Sequence, residues 1–281
     1  MKRGRASRTA GFVAAARAYG EFLPADGRLV DDPYGAAFAW PRTPAWLARA
    51  MLPLSRTWIL YMQVRTRAID DDVRAYVARS GAQLVVLGAG YDSRALRMPE
   101  LAGARVFEID HPATQAYKRD VLAARGVTSP ARYVEWDFEA RPMAELPDAL
   151  AAAGLDRAAP TLTIWEGVTM YLSEPAIDAS LRAIRAWSAA GSELAMTYFA
   201  RDRLVRQELA TRAIRAVVAR LGEPWVFGWE PHELPPYLDA RGFAVVHDRA
   251  MGEAARDLLP HELAKRVLSH DQRYTLARVA S

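Results

Sequence analysis

The sequence predicts an α/β fold built on a mostly parallel sheet. Segments typical of strands alternate with helical segments along most of the 281 residues. One strand, residues 84–87, has four consecutive apolar residues and runs directly into a turn with glycines at 88 and 90. A continuous apolar run is typical of a strand covered on both faces, and the alternation indicates right-handed βαβ units.

The chain before the first strand is predicted to be helical. Asp32 can cap a helix and Pro33 can occupy its first position, so capping is a better interpretation of the Asp31–Asp32 pair than a metal site. The predicted helices are 8–23, 45–52 and about 57–78.

Arg65 lies in the middle of the apolar face of the third of these helices. At 100° per residue, the residues that share this face are Trp58, Met62, Ile69, Val73 and Tyr76. A buried arginine must be paired. Arg65 therefore either binds an internal carboxylate or holds an anionic group of a ligand.

The glycine turn has the pattern GxGxxS, with Ser93 at the third position. Glycines allow the backbone to bend sharply and to approach a nucleotide, and the helix that follows points its positive end at the ligand. An ordinary strand-to-helix turn explains such a pair equally well. Asp110 ends the second strand about 20 residues past Gly90, where βαβ nucleotide-binding folds place a ribose-binding carboxylate.

The remaining elements continue the alternation. A helical insertion of about 200–230 ends in the aromatic residues Trp225, Phe227 and Trp229. The final strand could pair antiparallel with the sixth. The predicted strands are 104–109, 132–138, 161–165, 193–199, 243–247 and 274–279, and the predicted helices are 112–124, 144–153 and a helix that Ser173 caps and Gly191 ends.

Three carboxylates, Asp110, Asp137 and Glu166, stand at the ends of predicted parallel strands. Ligands of open α/β sheets bind at this edge, although each residue alone could cap the following helix. An acidic rim without a GxxxxGK[ST] loop suits a triphosphate or pyrophosphate poorly. S-adenosylmethionine matches the rim better, because it has ribose hydroxyls, an adenine amine, an ammonium and a sulfonium, with one carboxylate for Arg65.

Composition limits the other possibilities. The chain has no cysteine, which excludes disulfides and thiolate sites and suits a cytoplasmic protein. Its arginines are interleaved with acidic residues, so we expect no nucleic-acid stripe. We also expect neither a signal peptide nor a membrane span.

Several segments of the chain together form a recognisable set of motifs. They are Val85–Arg94, Glu108–Pro112 with Lys118–Arg119, Glu166–Leu172, Arg8–Ala10, Arg17–Ala18, Asp32–Tyr34 and Arg65–Asp70. This set resembles the leucine carboxyl methyltransferase family and its bacterial S-adenosylmethionine-dependent O-methyltransferase branch. The resemblance covers about residues 6–281 and implies a class I methyltransferase (Rossmann-like) fold of seven strands that uses S-adenosylmethionine.

The family's binding residues can be carried over one by one. The resemblance implies that Arg65 holds the methionine carboxylate, with Gly88 under the methionine part. Asp110 would bind the ribose, and Glu166 would approach the amino end. Asp137 would bind the adenine amine with Phe138 beside the ring. Eukaryotic members also use a basic residue near the N-terminus, which Arg8 matches only loosely.

The sequence gives less specific information about the methyl acceptor. No histidine among His232, His247, His261 and His270 lies in a motif that suggests a general base. A carboxylate needs no base at neutral pH, whereas a phenol does. The lack of a base motif and the family resemblance together favour methyl ester formation on a small-molecule, natural-product-like acid. We expect Tyr171, Tyr198 and Arg201 to lie near the acceptor.

Two further expectations concern organisation and alternatives. Residues 1–56 should form a helical cap, and 57–281 the cofactor-binding domain with a cap insertion at about 201–232. The alternatives are a phenol or hydroxyl O-methyltransferase, a non-catalytic binding module, and a nicotinamide-dependent oxidoreductase, which Ser93 and Glu166 disfavour.

Overall fold

The structure is a computed structural model that describes residues 6–40, 43–79, 83–202, 224–267 and 271–280. The strands are β1 Gln83–Leu87, β2 Arg105–Asp110, β3 Arg132–Glu135, β4 Thr161–Trp165, β5 Glu193–Phe199, β6 Phe243–Ala250 and β7 Gln272–Val279. The helices before β1 are α1 Arg8–Ala18, α2 Gly35–Phe38, α3 Ala45–Ala50 and α4 Leu52–Arg79. The later helices are α5 Arg94–Arg97, α6 Pro112–Ala123, α7 Leu146–Ala152, α8 Glu174–Trp187, α9 Leu234–Asp239, α10 Met251–Leu258 and α11 His261–Ala264.

All seven strands form one sheet in the order β3-β2-β1-β4-β5-β7-β6. The first five strands are parallel, and β7 pairs antiparallel with both β5 and β6. The predicted antiparallel pairing of the last two strands is therefore confirmed. The sequence did not indicate that β7 inserts between β5 and β6. In this order the chain adds β2 and β3 on one side of β1 and then returns to add β4 on the other side. Open α/β sheets bind ligands at such a point, where the order of the strands changes direction.

The two faces of the sheet carry separate apolar layers. Alternate residues of β1 divide between them, because Leu84 and Val86 pack with the α4 and α10 side while Val85 and Leu87 pack with the α7 and α8 side. Helix α8 contributes a fully buried face, as its periodicity predicts: Ile177, Leu181, Ile184 and Trp187. Both faces of the parallel strands are thus covered.

Helix α4 is longer than predicted. It begins at Leu52 because Pro53 falls in the first turn, where a missing N–H costs no hydrogen bond. The helix is continuous across the boundary that we predict between residues 56 and 57. Trp58, predicted on the buried face, is instead exposed, as are Trp40 and Trp46.

Three further predictions need correction. Helix α5 after the glycine turn is a single turn, too short to present a substantial dipole to a ligand. Strand β3 ends at Glu135, so Asp137 and Phe138 lie in the turn beyond it. Asp32 caps a turn before α2 and accepts hydrogen bonds from the amides of Tyr34 and Gly35, whereas Pro33 lies outside the helix.

The predicted insertion lies partly outside the described residues, since 203–223 are not among them, and His270 is also outside. Within the part of the chain that the structure describes, none of the helices has the length and apolar character needed to cross a membrane.

Candidate active site

Arg65 and Glu166 meet at the carboxyl edge of the sheet. Helix α4 brings the buried Arg65 there, and Glu166 directly follows β4. Arg65 Nε donates to Glu166 Oε1 at 2.7 Å, and Arg94 Nη2 donates to the other oxygen at 3.0 Å. Burial alone would raise the pKa of Glu166, but the two guanidinium groups outweigh burial and lower the pKa to about 2.

A buried ionic network extends from this pair. Arg94 also binds Asp70 through Nε at 2.7 Å and binds the Asp92 carboxylate, and Arg97 Nη1 binds Asp70 at 2.6 Å. Asp70 is fully buried, five residues beyond Arg65 on α4. Three arginines thus meet three carboxylates, which lets the charges remain buried without an uncompensated ion.

Asp110 closes the glycine turn. Gly90 N donates to Asp110 Oδ2 at 2.6 Å and His111 N donates to Oδ1 at 2.7 Å. Burial raises the pKa of Asp110, and these two hydrogen bonds only partly offset that effect. Asp110 at the end of β2 is therefore in direct contact with the second glycine of the turn. Each carboxylate oxygen retains a second lone pair for a ligand hydroxyl.

The glycines of this turn are required by both conformation and space. Gly88 and Gly90 have φ values of 72° and 52°, in the left-handed region that side chains other than glycine avoid. A Cβ atom at Gly88 would come within 2.6 Å of Val168 Cγ2, and one at Gly90 within 3.0 Å of Ala10 Cβ. The turn is therefore packed closely between the loop after β4 and helix α1.

The N-terminal segment is anchored directly to the turn. Arg17 of α1 donates to the Tyr91 carbonyl at 2.5 Å and to Asp32 Oδ2 at 2.9 Å, in a buried setting. Phe38 stacks on the Tyr91 ring with centroids 4.8 Å apart. This segment covers one side of the glycine turn.

Asp137 and Phe138 lie further along the same edge and are more open to solvent. Asp137 Oδ1 accepts hydrogen bonds from the amides of Glu139 and Ala140 at 3.0 and 3.3 Å. Asp137 Oδ2 is 3.8 Å from His111 Nε2. Phe138 is exposed. His111 itself caps α6 through Nδ1, as its position before Pro112 predicts.

The three acceptor-side residues occupy different settings. Tyr198 is buried against Trp229, and its hydroxyl donates to Asp248 Oδ2 at 2.9 Å. Arg201 is half-exposed and forms an ion pair with Glu233. Tyr171 lies in a short 3₁₀ helix, Thr169–Tyr171, after the Glu166 loop.

Arg8, the loose match to the family's N-terminal basic residue, lies over the Trp40 ring, 4.7 Å from its centroid.

Sequence reasoning assigned no role to two further residues that hold the site together. Buried Lys118 donates to the Asp92 carbonyl at 2.5 Å and binds the Glu108 carboxylate. Buried Gln63 joins α4 to the cap by donating to the Arg17 carbonyl and accepting from the amides of Leu29 and Val30. The sequence feature that could have indicated such buried residues is a polar side chain on an otherwise apolar helix face, as for Arg65.

Comparison with known proteins places the chain in a family. The leucine carboxyl methyltransferase profile matches residues 10–185. A Streptomyces coelicolor protein named "Putative S-adenosyl-L-methionine-dependent methyltransferase" is 36% identical over 63% of this chain and 64% of its own length. A Mycobacteroides abscessus protein with the same name is 34% identical over 87% of this chain and 86% of its own length. The matched segment thus spans less than two thirds of the first relative but most of the second.

Solved structures show the fold. A "putative methyltransferase" from Thermobifida fusca superposes with a TM-score of 0.61, 17% identity and coverage of 100% of this chain and 97% of that one. A DUF574 family protein from Streptomyces avermitilis has a TM-score of 0.62, 14% identity and 98% coverage of both chains. The architecture is the class I methyltransferase fold that the resemblance implies. With the profile match over more than half of its length, the chain belongs to the leucine carboxyl methyltransferase family.

Proposed function

We propose that this protein is an S-adenosylmethionine-dependent O-methyltransferase that forms a methyl ester on a small-molecule acid. The observation that carries the proposal is the Arg65–Glu166 pair at the sheet edge, with Asp110 at the adjoining strand. S-adenosylmethionine is the cofactor in the names of both relatives described above. Family membership also argues against the oxidoreductase alternative.

The amino-acid end of the cofactor matches the Arg65–Glu166 pair in charge. It carries one carboxylate and one ammonium, which are complementary to the guanidinium of Arg65 and the carboxylate of Glu166. The low pKa of Glu166 keeps it ionised at neutral pH. Arg94 would keep Glu166 in place when Arg65 turns to the cofactor, because it holds the other carboxylate oxygen. One ion pair would then be replaced by two.

The nucleoside end fits the other two strand ends. Asp110 would accept hydrogen bonds from the ribose hydroxyls on its remaining lone pairs. Asp137 Oδ2 would accept from the adenine amine, and the exposed ring of Phe138 offers a surface for the base. The left-handed φ values of Gly88 and Gly90 bend the backbone sharply after β1, and the methionine part would lie along this turn.

The chain's own residues would act by positioning and by excluding water. When bound, the cofactor supplies an electrophilic methyl group on a sulfonium. That methyl group would be supplied to a carboxylate oxygen of the acceptor, while Arg65, Glu166 and Asp110 would hold the cofactor in place. No proton moves, so no general base is needed. Alignment of the acceptor carboxylate with the methyl group, and exclusion of water from the covered site, would account for the rate of methyl transfer.

Tyr171, Tyr198 and Arg201 remain the proposed acceptor-side residues. The hydroxyl of Tyr198 is already bound to Asp248, and burial raises the pKa of Tyr198 well above its ordinary value. Tyr198 would therefore contribute its ring and its neutral hydroxyl rather than a phenolate base. Arg201 would have to leave Glu233 in order to bind an acceptor carboxylate.

The test is incubation of the purified protein with a library of acids and phenols and a cofactor carrying a trideuterated methyl group. We expect mass spectrometry to show labelled methyl esters that alkaline hydrolysis removes. The Asp110→Asn variant, matched in size, serves as the control and should give little product. Labelled aryl ethers without esters would contradict ester formation and support the phenol alternative.

A further inference from the structure

Tyr61 lies on the part of helix α4 that projects past the sheet at the edge of the candidate site. The last residue of the helix, Arg79, binds Glu193 at the start of β5, whereas Arg65 binds Glu166 just after β4. The helix therefore runs antiparallel to the parallel strands, and its residues before Arg65 extend beyond them. Tyr61 is four residues before Arg65, so the two side chains are neighbours on the helix surface.

The Tyr61 side chain contacts the guanidinium of Arg65 directly. Its ring centroid lies 5.8 Å from Arg65 Cζ, and its hydroxyl oxygen accepts a hydrogen bond from the guanidinium. Burial alone would lower the pKa of Arg65, but the charge of Glu166 and the contact with Tyr61 outweigh burial and raise the pKa. Tyr61 is therefore a second partner of Arg65, in addition to Glu166.

Tyr61 is itself held in place by packing. Its exposed fraction is 6%, and its ring stacks on the Trp58 ring with centroids 5.4 Å apart. It also belongs to the apolar layer that packs α4 against the sheet. A buried aromatic side chain on a helix has few rotamers available, so the Tyr61 hydroxyl has a fixed position before a ligand arrives.

The Nη atoms of Arg65 face the loop after β4 at a residue without a side chain. Gly167 has a φ of 71°, in the left-handed region that favours glycine. A Cβ atom there would lie 3.8 Å from Arg65 Nη2 and 4.0 Å from Nη1. Apart from the chain neighbours of Gly167, no other atom of the described residues comes within 4 Å of that point. A carboxylate that accepts from both Nη atoms needs such space beside them.

The cofactor would separate the Arg65–Glu166 ion pair, and each partner then needs another contact to stay in place. Glu166 keeps Arg94, which holds its second oxygen at 3.0 Å. Arg65 keeps Tyr61. Without the Tyr61 hydroxyl, the cofactor alone would have to order the long arginine side chain, and that ordering lowers affinity.

We propose that Tyr61 is a positioning residue, whose hydroxyl holds the Arg65 guanidinium with its Nη atoms open to the carboxylate of the cofactor. This inference rests on the proposed function, in which Arg65 binds that carboxylate. It adds a residue that acts through Arg65 and therefore affects recognition of the carboxylate but not recognition of the nucleoside.

The probes are S-adenosylhomocysteine and its decarboxylated analogue, which keeps the ammonium and lacks only the carboxylate. Calorimetric titration should show that Tyr61→Phe weakens binding of S-adenosylhomocysteine about tenfold and leaves binding of the analogue unchanged. Tyr76→Phe is the matched control, because Tyr76 is a buried tyrosine of the same helix whose hydroxyl has no hydrogen-bond partner among the described residues. It should leave both affinities unchanged.

A double-mutant cycle tests whether Tyr61 acts through Arg65. In the Arg65→Ala background, Tyr61→Phe should have no further effect on S-adenosylhomocysteine binding. A further loss there, an equal loss for both ligands, or wild-type affinity in Tyr61→Phe would overturn the inference. Wild-type protein that binds both ligands equally would overturn it too, because the carboxylate would then not be recognised. Failure to methylate any acid would contradict the proposed function alone, since these titrations need no acceptor.

Discussion

Glu166 is the residue on which most of the site's electrostatics depend. It receives one guanidinium from α4 and another from α5, and it is nearly buried. Burial of an ion pair is costly, and removing one partner leaves an uncompensated charge. The structure meets this cost by giving both oxygens of Glu166 a charged donor. The same arrangement keeps the carboxylate ionised for a ligand ammonium.

Glu166→Gln should remove a part of the acid sensitivity of the fold. The pKa of Glu166 is lowered in the folded state, so its ionisation stabilises the fold fully above about 4.5, its ordinary value. This stabilisation is lost as the pH falls from about 4.5 towards 2, and it is on the order of 3 kcal/mol. Urea unfolding at a series of pH values should show a smaller loss of stability for the variant across that range.

Glu262→Gln is the control for this experiment, because Glu262 is an exposed glutamate that forms a surface ion pair with Lys265. It should reproduce the pH dependence of the wild type. Equal pH dependence of unfolding in wild type and Glu166→Gln would show that the two arginines do not depress the pKa of Glu166.

At the residue scale the sequence indicated where charge would be buried but not what would pair with it. Helical periodicity placed Arg65 on a buried face, and strand ends placed Glu166 at the ligand edge. Their direct contact joins residues 101 positions apart, which no local pattern records. The sequence assigns no role to Asp70 and Arg94 for the same reason, since each is an ordinary surface residue type until its partner is known.

At the scale of elements, two buried polar side chains hold the cap to the rest of the molecule. Arg17 links α1 to the Asp32 turn and to the glycine turn, and Gln63 links α4 to α1 and to the backbone at Leu29 and Val30. The sequence predicted the cap helices from their periodicity. It did not predict these links, because a single arginine or glutamine has many equally probable partners.

Arg17→Leu should loosen the cap and weaken cofactor binding. The substitution leaves the buried Asp32 carboxylate without its cation, at a cost of about 3–5 kcal/mol. We expect urea unfolding at lower concentration and faster proteolytic cleavage within the first 40 residues. Arg28→Leu, which changes an exposed arginine of the same segment, should behave like the wild type. Identical cleavage rates for the two variants would show that Arg17 does not anchor the cap.

At the scale of the whole molecule, the alternation of elements predicted the parallel sheet and the edge where the carboxylates meet. It could not predict that β7 inserts between β5 and β6, because β7 pairs with a strand about 80 residues earlier. The projection of α4 beyond the sheet also escaped the sequence pattern. Periodicity marks an apolar face but does not show where its packing partner ends, which is why Trp58 was assigned to the interior.

The fold, the ionic network and the cap all converge on one ligand edge. We propose that this edge binds S-adenosylmethionine through Arg65 and Asp110. Calorimetric titration of the wild-type protein with S-adenosylhomocysteine and with NAD tests the claim most directly, with Arg65→Ala and Asp110→Ala as site variants. We predict binding of S-adenosylhomocysteine but not of NAD, weakened roughly tenfold or more by each substitution. Binding of NAD alone, or an affinity for S-adenosylhomocysteine unchanged in both variants, would contradict the claim.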